Sequence, residues 1–196
     1  MSNLKNNKKA NPTLIHVVEH VDSSGAEICY ERYEGTLAVA GFDYREEYKR
    51  SCESCPKHGK NLSCPPHSPT LEEYLNGEQK ARVICLRLPL ESFTSQEMER
   101  YRAGFRKASS LLVNELYEHR KSGHLIAGSG ACLACDTCVA ETGQATCKKP
   151  ELRVYSLESL GANVTALVRT CFNLDFEWSA DENTADFVCA VGAVFY

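Results

Sequence analysis

Thr94-Ser95-Gln96-Glu97-Met98-Glu99-Arg100-Tyr101-Arg102-Ala103-Gly104-Phe105-Arg106-Lys107-Ala108-Ser109-Ser110-Leu111-Leu112 is the stretch that decides the fold class. Thr94 to Glu97 has the form of a capping box, the pattern that satisfies free backbone donors at a helix start. Met98, Tyr101, Phe105, Ala108 and Leu112 then recur at +3, +4, +3, +4, which places them on one face of an α-helix. The spacing predicts a helix running to about Lys121 and stopped at Gly123. His119 falls in its last turn and His124 just beyond, both read as solvated. Such a helix needs a surface on which to bury its stripe, and the flanking segments supply strands.

Upstream, Val83–Leu88 has the apolar, β-branched character of a strand. Thr70-Leu71-Glu72-Glu73 repeats the capping signature and opens a short helix towards Lys80. Leu14–Val21 and Ala26–Tyr33 flank the turn-forming Asp22-Ser23-Ser24-Gly25 and read as a hairpin. Gly35–Phe42 is small and apolar without a defined type, and Asp43–Arg50 reads as a charged helical turn. Downstream, His124–Ala127 reads as a strand, Ser156 as the cap of a helix to about Phe172, and Asp186–Tyr196 as a buried strand. Helices and strands alternate irregularly. The expected architecture is therefore α+β, a single sheet with packed helices and two inserted cysteine-rich metal loops. Residues 1–12 are polar and Asn/Lys-rich and read as a disordered tail; 13–196 read as a single α+β metal-binding domain.

The 196 residues are 43% hydrophobic and 24% charged, ordinary values for a globular chain able to build its own core. With 22 basic and 26 acidic residues the net charge is −4, which disfavours nucleic acid and anionic membrane as partners. The longest apolar run, Phe187–Tyr196, is too short to span a bilayer as a helix. The outlier is cysteine, at 11 residues. Met1–Lys9 has no apolar stretch of the signal-peptide kind, so the expected compartment is cytoplasmic. In a reducing compartment clustered thiols are read as metal ligands or redox centres before disulfides.

Seven cysteines fall in two clusters: Cys52-x2-Cys55-x8-Cys64-Pro65-Pro66, and Cys132-x2-Cys135-x2-Cys138-x8-Cys147-x2-Pro150. With Cys132 set aside, both reduce to the same C-x2-C-x8-C spacing followed by proline. A CxxC puts two sulfurs on one tight turn, suited to one zinc ion or to neighbouring corners of an iron–sulfur cube. Two CxxC knuckles, Cys52/Cys55 and Cys135/Cys138, would complete a four-thiolate zinc site but leave Cys64, Cys132 and Cys147 unused. The C-x2-C-x2-C run instead follows the ligand logic of ferredoxin loops. Seven thiols fit two arrangements. Either the second loop closes one [4Fe–4S] cube while Cys52, Cys55 and Cys64 hold another with an open iron, or both loops share one cluster.

The same residues carry a resemblance. Cys52-x-x-Cys55-x-x-x-Gly59-Lys60-Asn61-x-Ser63-Cys64-Pro65-Pro66, the second cysteine run with Pro150, then Arg153, Ser156-Leu157-Glu158 and Gly161-x-x-Val164 resemble the prokaryotic predicted metal-binding protein family, domain of unknown function 2284. The resemblance covers roughly residues 45–196. It implies metal binding and carries no established activity. His58 and Leu62 depart from it, standing where aromatic residues are expected, and Ala162-Asn163 replaces an Ile-Asp pair.

Around the cysteines, Gly59-Lys60-Asn61 forms a turn in which Lys60 and Asn61 are candidates for contacting the cofactor, Lys60 as donor to cluster sulfide or to an anionic substrate. His58 is a candidate fourth ligand, and Lys148 and Lys149 read either as offsetting the charge of a thiolate-bound cluster or as plain surface residues. Arg153 and Glu158 have the charges to pair near the second loop. Cys29, Cys85, Cys171 and Cys189 stand in apolar segments and read as core packing. No nucleotide-binding or serine-hydrolase motif occurs. Three functions fit: an iron–sulfur protein for electron transfer or chemistry at an open iron, with a redox partner protein or small-molecule substrate; a zinc-stabilised interaction module; or a thiol redox protein, which two matched triads exceed.

Overall fold

The computed structural model describes residues 13–20, 27–90, 97–174 and 186–196. Six strands form one mixed sheet: β1 (Thr13–His20), β2 (Glu27–Ala38), β3 (Lys80–Pro89), β4 (Leu125–Gly128), β5 (Tyr155–Ser156) and β6 (Phe187–Phe195). Their order is β1-β2-β3-β6-β4-β5, antiparallel throughout except for the parallel β4/β5 pair. Three helices pack on the sheet: α1 (Leu71–Leu75), α2 (Glu97–Lys121) and α3 (Val164–Phe172). This is the α+β class that the sequence predicts.

The period-2 alternation of strands divides the core into two layers. On β3, Ile84, Leu86 and Leu88 face α2, while Ala81, Val83 and Cys85 face α1 and α3. On β6, Val188, Ala190 and Val194 face α2, and Cys189, Val191, Ala193 and Phe195 face the other layer. That is why the last strand is a nearly continuous apolar run: it is central and covered on both faces. Leu112 and Leu116 of α2 are fully buried against this face, and truncation of either to Ala costs about 2–5 kcal/mol. The helix ends where expected, with Gly123 at φ +89°. Gly192 lets it sit this close, because a Cβ there would lie 2.7 Å from the Ala127 carbonyl oxygen and 3.0 Å from Leu116.

The hairpin of β1 and β2 forms as read; its turn, residues 22–25, lies outside the described residues, as do the 1–12 tail and the Thr94–Gln96 cap. The first half of Gly35–Phe42 completes β2, and Val39–Gly41 is a turn. The Thr70/Glu73 capping box is present in both halves. Its helix stops at Leu75 rather than approaching Lys80, because Asn76 and Gly77 adopt left-handed backbone.

Two further expectations need correction. Ser156 does not begin the third helix. It ends β5, and its Oγ accepts from the Ser159 N–H at 3.1 Å, capping only the short turn Glu158–Leu160. Gly161 at φ +88° breaks the path, and Asn163 caps α3 instead by accepting from the Ala166 N–H at 3.0 Å. Cys29 is exposed, whereas Cys85, Cys171 and Cys189 are buried as read. The cause is an overhang: β2 pairs with β3 only from Glu31 onward, so Cys29 lies on the part that pairs with β1 alone.

Candidate metal centre

The first cysteine loop is delivered by a short 3-10 turn, Glu46–Cys52. Its lead-in is zipped to the segment before α3. Arg45 N–H donates to the Gly161 carbonyl at 2.8 Å, Asn163 N–H to the Asp43 carbonyl at 2.8 Å, and the Asn163 amide to the Asp43 carboxylate at 3.0 Å. The exit is tied to the same place, because Ser68 Oγ donates to the Ser159 carbonyl at 2.6 Å. Between these anchors the loop is a chain of tight turns. Backbone bonds run from Cys55 to Cys52, His58 to Cys55, Cys64 to Asn61 and His67 to Cys64, all at 2.9–3.0 Å. Gly59 takes φ +68° within it.

The second loop leaves β4 and is held from behind by the end of α2. Tyr117 OH donates to the Leu152 carbonyl at 2.7 Å, and Arg120 donates to the carbonyls of Glu151 and Arg153, each at 2.9 Å. Cys138 stands at the head of the turn Val139–Thr142, whose Val139 is buried. Lys149 reaches back to the Ala134 carbonyl at 3.0 Å. Lys148 is exposed.

Asn61-Leu62-Ser63 clamps the loops together. All three are buried. Asn61 Oδ1 accepts from Ser63 N–H at 3.0 Å and from Ser63 Oγ at 2.8 Å, while its amide donates to the Cys132 carbonyl at 3.4 Å. Ser63 Oγ in turn accepts from Cys132 N–H at 3.0 Å, and Leu62 N–H donates to Cys138 Sγ at 3.4 Å. An exposed ion pair, Lys57–Glu141 at 3.1 Å, spans the same seam. Asn61 therefore faces the second loop. Lys60 is exposed and stands outside the cavity wall, which carries Lys57 and His58.

A cavity of about 790 Å³ opens beside the first loop, and Cys52, Cys55 and Cys64 all line it. None of the four second-loop cysteines does. A family model described as predicted metal-binding protein (DUF2284) matches residues 36–195, a span holding all seven clustered cysteines. The chain belongs to this family. No curated protein and no solved structure matches it.

In this DUF2284 chain all eleven cysteines are free thiols. Burial pushes the Cys64 thiol up to about 11, aided by the charges of Cys55, Cys52 and Cys132 and opposed by a hydrogen bond from Ser63. Burial also raises Cys52, with Glu158 and Cys55 adding to it. These thiols resist ionising first because burial penalises the charged form and then because other negative charge lies near, and a bound cation would offset both. The donor set thus suits a metal, with Cys52, Cys55 and Cys64 at the cavity and Cys132, Cys135, Cys138 and Cys147 behind the clamp. Among the described residues, no three Cys, His, Asp or Glu side chains are grouped as a single bare ion would require.

Glu158 does not pair with Arg153. Its Oε2 is buried without a partner and it lines the first-loop cavity, while Arg153 lies over the Tyr155 ring at 5.0 Å. The placing of Glu158 and the Ser63 clamp were invisible to local reading. The clamp joins residues 69 and 76 positions apart. No helix of the described residues is long and apolar enough to cross a membrane.

Proposed function

We propose that the protein carries one or two [4Fe–4S] clusters on these loops and acts in electron transfer or in chemistry at an open iron. The second loop supplies four thiolates, Cys132, Cys135, Cys138 and Cys147, enough to close one cube. The first supplies three, Cys52, Cys55 and Cys64, leaving one iron for a small ligand, for His58 or for substrate. The observation that carries this reading is the cavity: its wall holds the three-thiol set and excludes the four-thiol set. The Leu62 N–H bond to Cys138 Sγ also fits, since hydrogen bonds to ligand sulfur tune cluster potential. When bound, a cluster with an open iron supplies a Lewis-acid position and one-electron chemistry. The chain's own part is to fix three sulfurs on tight turns and to leave one side open.

Anaerobic purification with iron supplied, followed by iron, zinc and acid-labile sulfide analysis, tests this. Iron with sulfide is expected, together with an electron paramagnetic resonance signal that Cys64→Ser alters and that added cyanide perturbs. A colourless preparation with stoichiometric zinc and no sulfide would establish the zinc-stabilised interaction module instead. A single cluster lost equally on mutation of either loop would show shared ligands and sink the open iron.

A further inference from the structure

The first-loop cavity is of a size that encloses a small organic molecule. Apart from the thiols, much of its wall is apolar, from Phe105, Ala131, Ala162 and Val164. Its charged groups are unequal in their needs. Lys57 is taken by Glu141 at 3.1 Å, and Glu47 is well exposed and lies 3.4 Å from Arg45. Glu158 differs. Its Oε2 is buried and has no partner among the described residues. Burial of a carboxyl oxygen without a donor is costly, and native interiors rarely leave one so. A ligand that brings its own donor into the cavity would satisfy it. A carboxyl oxygen in a largely apolar wall favours a donor that carries positive charge over a neutral one and repels an anion.

We propose that the cavity is a binding site for a small organic amine. The cationic nitrogen docks on Glu158 Oε2, and the apolar body lies along Phe105, Ala131 and Val164, with Cys52, Cys55 and Cys64 on the same wall. The reactive neighbour of the bound amine rests on the cluster reading above; the docking itself needs only Glu158 and the cavity.

Three probes with one apolar body test it: phenylbutylamine, phenylbutanol and phenylbutyrate, titrated calorimetrically into anaerobically purified full-length protein. The wild type is expected to bind the amine at least about tenfold more tightly than the carboxylate, the scale of a hydrogen bond to a charged group. Glu158→Gln keeps the shape and should collapse that preference to below about threefold. Ala131→Phe narrows the cavity without touching Glu158 and should weaken amine binding. Equal binding of the three probes, no amine binding, or an unchanged preference in Glu158→Gln overturns the proposal. Iron and sulfide are assayed on the same samples. Selective amine binding by protein that carries zinc, or no metal, supports the docking on Glu158 while refuting the cluster.

Discussion

Replacing Gly161 with alanine tests whether the first cysteine loop is held by the backbone seam at its lead-in. Gly161 has φ +88°, where an L side chain is strained by about 1–2 kcal/mol. A Cβ there would also lie 2.7 Å from the Arg45 carbonyl oxygen, inside the 3.0 Å that such atoms keep. Backbone on both sides must part to relieve the clash, which stretches the Arg45-to-Gly161 and Asn163-to-Asp43 hydrogen bonds, both 2.8 Å. One lost hydrogen bond adds about 1 kcal/mol. The total is about 2–3 kcal/mol, or a melting point lower by roughly 4–12 °C in a chain of this size. Gly59→Ala is the control, because Gly59 has φ +68° but nothing within 4 Å of its Cβ position. It should lose only the strain, about 1–2 kcal/mol, without the further hydrogen-bond loss. Urea unfolding followed by circular dichroism, with metal content matched between samples, measures both. Equal losses in the two variants would refute the seam as the anchor of the loop.

Ser63→Ala leaves the partly buried Cys132 N–H without its acceptor and should cost about 1–2 kcal/mol. Asn61→Ala should be strongly non-additive with it; full additivity in urea unfolding would mean that the clamp is not one network. Gly192→Ala should destabilise by about 1–3 kcal/mol through overpacking against α2, and a neutral result in the same assay would contradict the packing described. The Cys171 thiol is pushed by burial from the ordinary 9.0 to about 11, so the unfolded chain ionises first as pH rises. Its contribution is whole below 9.0 and falls away up to about 11; Cys171→Ala should flatten that part of the stability profile, and parallel profiles would argue against it. Chelation should lower the melting temperature, because the exposed cysteine loops bury little apolar surface of their own; an unchanged transition after complete metal removal would show that they stand unaided.

What the sequence disclosed and what it concealed divide along the range of the interactions. The +3/+4 recurrence from Met98 to Leu112, the Thr70/Glu73 box and the apolar Phe187–Phe195 run are local patterns, and each became the element it implied. Ser156 misled because serine caps whichever turn follows, and the left-handed Gly161 five residues later decided that the turn would be short. Cys29 misled because its exposure depends on where the β2–β3 pairing stops, a fact held by another segment. The cysteine spacing marked the loops, but the Asn61–Ser63 clamp and the isolation of Glu158 in the cavity wall depend on partners far along the chain. No local pattern encodes such pairings.

The position of β6 has a consequence for the birth of the protein. Residues 187–195 insert between β3 and β4, strands that precede them by some 60 to 110 residues. Until they emerge from the ribosome, β3 and β4 each present a bare, hydrogen-bonding edge, and α2 has only part of its bed. Pairing over such separations is slow. The two cysteine loops, strung from opposite sides of that gap, would meet only when it closes. A nascent chain should therefore offer loose thiols for most of its synthesis and bring its two cysteine loops into order in one late step.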